Sequence, residues 1–353
     1  MEKQTNWVFK QKNKWGLTVL AAVLCLLLSP LMSMSLFMPQ MFALLPVLAL
    51  LLLGYVGPVS ASVCMGVFVS VTAIFYGTWG ALIGAILMIP VVAVSAAVLE
   101  REQPFWQSVA AGSVTLFASM GAAIGIIAMI TGSDVVTAIT DMVRQGMSIS
   151  GAMSDSLLSM LIQMGMLTLP EGAAQGAVLD QAMREELVST LLMMTDSVMR
   201  LEMPMQMATG AVTAGLLGQA ALRKGVNARG AKVEYPVLSS WRVPKGWGRI
   251  LGGTLVVLYV LAQMIPQSMS TMFYVFSGVF DKIFALQGVA AICYIIRDKG
   301  KPAFLQALVF VLGYFVLGSF AVVLGIADQV MDFTHRRVYL DKLENPFDPR
   351  HGA

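Results

Sequence analysis

One feature restricts the fold of this chain more than any other. No Asp, Glu, Lys or Arg occurs between Lys14 and Glu100. A bilayer core about 30 Å thick needs about 20 apolar residues per helix, so this run has room for about four membrane spans. In the whole chain 12% of the residues are charged, whereas soluble domains carry roughly 25%. The sequence therefore predicts an all-α, polytopic membrane protein.

Turn residues and charges divide the apolar sequence into spans. The predicted spans cover about 16–37, 41–57, 58–76, 79–99, 105–130, 193–222, 250–265, 272–296 and 303–326. Nine spans is the leading interpretation. Eight is the alternative, in which one early span is a re-entrant or broken element.

Four regions follow from this division. They are a five-span membrane region over 1–131, an acidic amphipathic helical segment over 132–202, a four-span membrane region over 203–326, and a polar tail over 327–353. The amphipathic segment holds nine acidic and three basic residues. Ser133 and Asp134 are typical of a helix N-terminus within it.

Charge asymmetry predicts the orientation. Lysines precede the first apolar stretch, which we interpret as an uncleaved anchor with a cytoplasmic N-terminus. Counting spans from there places 132–202 outside the cell. It places the loop 223–249, with seven Lys or Arg against Glu234, in the cytoplasm. The net charge of +3 reflects these loops and does not indicate nucleic-acid binding.

Small residues predict close helix packing at two places. Gly80 and Gly84 lie four residues apart, as do Gly121 and Gly125. A glycine at every fourth position leaves one helix face bare, so that another backbone can approach it.

Asp281 and Lys282 are the charges that suggest a binding site. A full eighth span must include them, and intramembrane charges face the bundle interior or water. Being adjacent, they point about 100° apart on a helix. The functional interpretation is a polar cavity that Gln287 and Gly288 extend. The alternative is a helix that starts later, with Lys282 reaching the membrane interface.

Signatures of enzymes and cofactors are missing from the sequence. The two histidines, His335 and His351, are in or near the tail, and there is no Walker-type loop or HExxH motif. The three cysteines lack metal-ligand spacing. We therefore expect no catalytic residues, no metal site and no cofactor.

Three passages of the second half carry a family resemblance. They are Met203-Pro204 leading to Leu222-Arg223-Lys224-Gly225 with Tyr235-Pro236 and Trp241-Arg242-Val243-Pro244; Leu286-Gln287-Gly288 before Arg297-Asp298-Lys299-Gly300; and Gly325-Ile326-Ala327-Asp328 with Asp332-Phe333 and Arg336-Arg337. On these the chain resembles the YybS-like family of uncharacterised bacterial membrane proteins. Thr334-His335 before the arginines departs from the family's closing signature. The resemblance implies a cell-membrane protein and brings no established biochemistry.

The first five spans are similar in hydropathy and order to the substrate-binding subunits of energy-coupling-factor vitamin importers. Ala21-Ala22 with Cys25 partly matches the small-residue face of their first helix. This similarity implies a small-molecule-binding or transport component in the lipid bilayer, whose ATPase and coupling subunits would be separate chains. The competing hypothesis is a non-transporting scaffold that docks cell-envelope proteins through 132–202 and 223–249.

Overall fold

The computed structural model describes residues 15–28, 43, 45–149, 151–164, 167 and 181–332, and in these ranges it is helical without strands. The helices are α1 (Trp15–Leu28), α2 (Leu45–Tyr55), α3 (Pro58–Glu100), α4 (Phe105–Thr131), α5 (Val135–Ile149), α6 (Gly151–Gln163), α7 (Gln181–Asn227), α8 (Lys245–Met264), α9 (Pro266–Asp298), α10 (Ala303–Val311) and α11 (Gly318–Met331). A 3₁₀ turn covers Leu238–Ser240, and a π-helical turn covers Leu312–Val316.

Contacts divide the chain into two compact units. Unit 1 comprises Met1–Ser119 and Met205–Ala353, and unit 2 is Met120–Pro204. Most of the N-terminal and C-terminal membrane regions thus belong to one compact unit, whereas residues 120–131 at the end of α4 belong to unit 2.

Four described helices are long and apolar enough to cross a membrane, namely α3, α4, α8 and α9. A fifth span results if the bent pair α10 and α11 is counted as one. The predicted count of nine exceeds this number. The end of the predicted first span, at Phe37, lies outside the described residues.

The helix α3 doubles back on itself. Its 43 residues would extend about 65 Å if straight, more than twice the thickness of the bilayer core. Gly77 has φ 68° and ψ −162°, a left-handed conformation that glycine adopts without strain. A Cβ on Gly84 would lie 3.3 Å from the Phe68 ring, so the arms 58–76 and 78–100 pack side by side. These arms correspond to the predicted third and fourth spans.

Predicted and observed helices differ most at 303–326. This stretch is not one straight helix, because the chain bends by 108° between the part that ends at Val316 and the part that begins at Gly318. Leu317 at the bend has φ −104° and ψ 35°, outside the helical region. The apolar sequence there contains neither a charge nor a proline to mark the break.

The C-terminal half of α7 is the central helix of unit 1. Gly218 lies against Leu50 of α2, Gly215 against Ser113 of α4, and Gly225 against the backbone of Gly54. Small residues let helices approach until their backbones are in contact. This packing drives helix association in a membrane, because lipid tails are as apolar as the helix side chains. α7 is not among the apolar spans, and its glycine- and alanine-rich composition suits a helix that neighbouring helices enclose.

The closest crossing in unit 1 joins α9 and α11. A Cβ added to Gly288 would overlap the carbonyl oxygen of Ala321 and lie 2.9 Å from the backbone nitrogen of Gly325. A Cβ on Gly325 would overlap the carbonyl oxygen of Phe284. Neither obstacle is a flexible side chain, so glycine is required at both positions.

We expect Gly288→Ala to lower the free energy of unfolding by about 1–3 kcal/mol, because the methyl group must push two backbones apart. Gly252→Ala is the matched control, since nothing lies within 4 Å of that position in α8. Thermal unfolding in detergent measures both. Equal stability of the two variants would contradict the crossing described here.

Candidate functional site

A polar junction joins α9, α11 and the segment before α8. Gln287 and Asp328 are 1% and 0% exposed, and Gln287 Nε2 donates to Asp328 Oδ2 at 3.1 Å and to Gln329 Oε1 at 3.0 Å. Its Oε1 accepts a hydrogen bond from Val243 N at 3.0 Å. The Gly288–Gly325 crossing brings these groups together, since each glycine neighbours the polar residues on its own helix.

The predicted site residues Gln287 and Gly288 therefore lie in a contact between helices of the same chain. The amide of Gln287 uses both donor hydrogens and its oxygen on protein groups. The junction joins the helices. Both amide hydrogens of Gln287 are already donated within it, so neither is available to a ligand. Asp328 and Gly325, which the family resemblance singled out on another helix, belong to the same junction.

Lys282 lies elsewhere on α9, next to the π turn that precedes the bend between α10 and α11. Its Nζ is 5.2 Å from the centroid of the Tyr314 ring, within the range of a cation–π interaction. Tyr314 is 1% exposed, and its hydroxyl is 3.0 Å from Thr213 Oγ1. Thr213 already donates to Thr209 O at 2.8 Å, so the tyrosine hydroxyl donates to Thr213.

Three elements build this Lys282 site: α9, the π turn and α7. One turn before Lys282, Gly278 packs against Met205 and Thr209 of α7, which turns Lys282 toward the bundle. Single π turns inside helices often mark functional sites. Within the described residues, no carboxylate lies within 4 Å of Lys282 Nζ, as the four ion pairs all involve arginines.

The other predicted residues have varied positions. Asp281 is exposed and does not join Lys282 in one cavity. Asp332 ends α11 with φ 47°. Arg336 and Arg337 lie outside the described residues.

The two glycine pairs differ in their surroundings. Gly80 lies against the backbone of Thr72, and Gly84 against Thr72 and Phe68, across the hairpin of α3. By contrast, no described atom lies within 4 Å of a Cβ on Gly121 or Gly125.

Arg223 has a role that the sequence does not signal. It is 1% exposed and donates to Glu234 O at 2.9 Å, Gln103 O at 2.5 Å and Ser108 Oγ at 2.6 Å. One side chain thus connects α7 to α4, to the loop before α4 and to the basic loop 223–249 by hydrogen bonds. In sequence it belongs to a cluster of positive charges, which is ordinarily a topology signal.

Two of the cysteines, which lack metal-ligand spacing in the sequence, lie together. Cys25 Sγ of α1 is 2.9 Å from Cys64 Sγ of α3, within hydrogen-bonding distance of two thiols. A hydrogen bond of 2.8 Å from Thr18 Oγ1 to Ser60 Oγ joins the same helices. The cysteines therefore belong to a buried contact between α1 and α3.

Unit 2 contains a groove of about 770 Å³. Its lining includes Thr137, Asp141, Arg144, Arg184, Glu185 and Asp196. Arg184 pairs with Asp155 at 3.3 Å, and Arg200 pairs with Asp196 at 2.9 Å. The groove is thus edged by ion-paired residues, and its volume is in the range of small-molecule sites.

Comparison with known proteins identifies the family. Residues 16–329 match the model of a family described as "Predicted membrane protein (DUF2232)". The chain belongs to this family. No curated protein and no solved structure matches it.

Membership of DUF2232 agrees with the apolar helices of the structure, and the chain is a membrane protein of an uncharacterised family. The match covers α1 to α11 almost completely. It includes both the Lys282 site and the Gln287–Asp328 junction. The family description assigns no role to either.

In this DUF2232 protein, Asp134 caps helix α5, as the sequence predicted for the helix start. Its Oδ1 accepts from Thr137 N at 3.0 Å and its Oδ2 from the Thr137 hydroxyl at 2.6 Å. These hydrogen bonds, with a smaller contribution from Arg200, lower the pKa of Asp134 to about 2. A lowered pKa means that the folded state favours the ionised carboxylate.

We expect Asp134 to stabilise α5 fully above about pH 4 and to lose this effect as the pH falls towards 2, since protonation then accompanies loss of the cap. Asp134→Ala should weaken the helix by about 1 kcal/mol at neutral pH. Amide hydrogen exchange of residues 138–149, corrected for intrinsic rates, measures both effects.

The matched control is Asp134→Asn, which caps a helix about as well without a charge. That variant should retain protection and lose the pH dependence. The same acid response in Asp134→Asn and the wild type would contradict the assignment to this carboxylate.

Proposed function

We propose that this protein is a small-molecule-binding component of the cell membrane that acts in transport without an ATPase of its own. The observation that carries the proposal is the Lys282 ammonium. It is half-buried at the middle of an apolar helix and lies over the Tyr314 ring, and no described carboxylate lies within 4 Å of it. An intramembrane charge of this kind is costly to keep and is a functional site by default.

The surroundings of Lys282 favour a solute with an anionic group. The ammonium has three donors, and no described carboxylate, that of the adjacent Asp281 included, lies within 4 Å of it. Four residues after Tyr314 the chain starts α11 at Gly318, and a helix N-terminus adds partial positive charge. Broken helices whose ends point at a solute are how many transporters bind their substrates near the membrane centre.

The resemblances noted in the sequence support the same function. Both the YybS-like passages and the likeness to importer substrate-binding subunits are retained as part of this proposal. The proposal also includes nine spans, a cytoplasmic N-terminus, an external segment 132–202 and no catalytic activity. A partner chain would supply the ATPase.

We expect Lys282→Met to abolish stabilisation of the purified protein by its solute, because the anionic group loses its counter-charge. Removing a charge from an apolar helix should leave the unliganded protein as stable as before or more stable. The measurement is the shift in Tm with a panel of carboxylates and phosphate monoesters, which reports binding to the folded state.

Lys299→Met is the matched control, since Lys299 is exposed in the turn after α9. It should retain the shift. If no compound of the panel shifts the Tm of the wild type, or if Lys282→Met responds like the wild type, the Lys282 site is not the binding site.

A second candidate function is docking of envelope proteins, and the groove of unit 2 favours it. Its charged edge suits a polar protein segment rather than lipid. Co-purification from membranes separates the functions. Recovery of an ATPase with a coupling subunit supports transport, whereas recovery of cell-wall or division proteins, lost in Glu185→Arg on the groove lining, supports docking.

A further inference from the structure

The described part of α1 attaches to the rest of unit 1 along one narrow face. Thr18, Ala21 and Cys25 are buried, and their helical spacing places them on the same side of α1. Most of the other described side chains of α1, Leu20 and Leu26 among them, are exposed. α1 is therefore a peripheral helix, and a helix with so few buried contacts opens transiently at a low free energy.

This face meets α3 through two pairs of short side chains. Thr18 Oγ1 donates to Ser60 Oγ at 2.8 Å, and Cys25 Sγ is 2.9 Å from Cys64 Sγ. Thr18 and Cys25 lie about two turns apart on α1, and Ser60 and Cys64 lie about one turn apart on α3. Two contacts along one crossing fix the register of the helices, which keeps the two sulfur atoms side by side.

The surroundings of the two thiols determine which reagents can reach them. Both cysteines are 0% exposed, and no charged residue occurs between Lys14 and Glu100. Cys25 lies about 15 Å along the axis of α1 from Trp15, within the apolar run. Transfer of an ion or a charged oxidant into such a region is unfavourable, whereas an uncharged, lipid-soluble molecule can enter when α1 opens.

We propose that Cys25 and Cys64 form a site of reversible covalent modification, at which a lipid-soluble organic hydroperoxide converts the two thiols into a disulfide. The sulfur atoms, 2.9 Å apart, need to approach by only about 0.9 Å to reach the length of an S–S bond, about 2.05 Å. The product ties α1 covalently to α3. The site shares no residue with the Lys282 site and does not depend on the proposed transport function.

The reaction balances without another co-reactant. One sulfur attacks the terminal oxygen of the hydroperoxide, so that an S–O bond forms, the O–O bond breaks and the alkoxide leaves with the thiol proton as an alcohol. The second sulfur then attacks the sulfur of the sulfenic acid, and the oxygen leaves with the second thiol proton as water. The two sulfurs together lose two electrons, which the hydroperoxide accepts. A dithiol reverses the reaction by exchange.

The experiment treats the full chain in liposomes with cumene hydroperoxide. The protein is then unfolded in the presence of N-ethylmaleimide, and intact-protein mass spectrometry identifies how many cysteines are labelled. Before oxidation all three cysteines should be labelled. After oxidation we expect a monomeric chain in which only Cys293 is labelled and which, apart from its label, is lighter by two hydrogen atoms. Dithiothreitol should restore all three labels.

The matched control moves the first thiol to the exposed side of α1 at nearly the same depth. In the double variant Cys25→Ser with Leu26→Cys, the new thiol lies at a position that is 52% exposed and points about 100° away from the contact face. Its disulfide with Cys64 should form at least about tenfold more slowly than that of the wild type, because the sulfurs are no longer held side by side. Cys293→Ser should oxidise like the wild type, since the Cys293 thiol contacts Gln306 O instead.

Two results would overturn the proposal. If all three cysteines of the treated wild type are still labelled, or if oxygen atoms are added without a disulfide, the pair is not a site of this modification. If the wild type and the displaced double variant oxidise at equal rates, the disulfide forms by random encounter and not through the contact between α1 and α3. Because the first readout uses the wild type alone, misfolding of a variant cannot account for it.

Discussion

The contact that the rest of unit 1 depends on is the close approach of other helices to the C-terminal half of α7. In lipid the hydrophobic effect does not drive helices together, so close van der Waals packing must supply the attraction. Gly215, Gly218 and Gly225 provide it towards α4 and α2. With neighbours on several sides, this helix does not need an apolar surface, and its sequence can carry Thr213, Gln219 and Arg223. The central position thus explains why polar chemistry concentrates there.

Polar groups around α7 and α9 fall into two classes that burial alone does not separate. Gln287 and Arg223 form hydrogen bonds with backbone and side-chain groups of other segments. Each therefore joins elements that are distant in sequence. Lys282 lies over the Tyr314 ring, and both amide atoms of Gln219 lack a hydrogen bond within the described residues. Since a membrane offers no water to satisfy an unused donor, hydrogen-bond partners, rather than burial, separate the residues that join helices from the others.

The helical membrane class could be predicted from the sequence, because hydropathy reports directly on contact with lipid. The ends of α8 and α9 lie within two residues of the predicted ends, although both helices begin five or six residues earlier than predicted, and the turn at Gly77 separates arms that match two predicted spans. The bend at Leu317 could not be predicted, since the apolar pattern continues through it. Nor could the burial of Arg223: beside Lys224 it looks like part of a basic loop, yet one residue is 1% exposed and the other is exposed. Local composition does not show which of two adjacent charges the tertiary fold encloses.

The same limit applies to the candidate site. Spacing predicts that Asp281 and Lys282 point about 100° apart, but it does not say which one faces the bundle. Packing of Gly278 on Met205 and Thr209 decides this, because Lys282 lies one turn further along the same face. The lysine then meets Tyr314, which the π turn holds against Thr213. The side of α9 that Lys282 presents to the bundle therefore follows from one glycine contact that neither hydropathy nor charge pattern reveals.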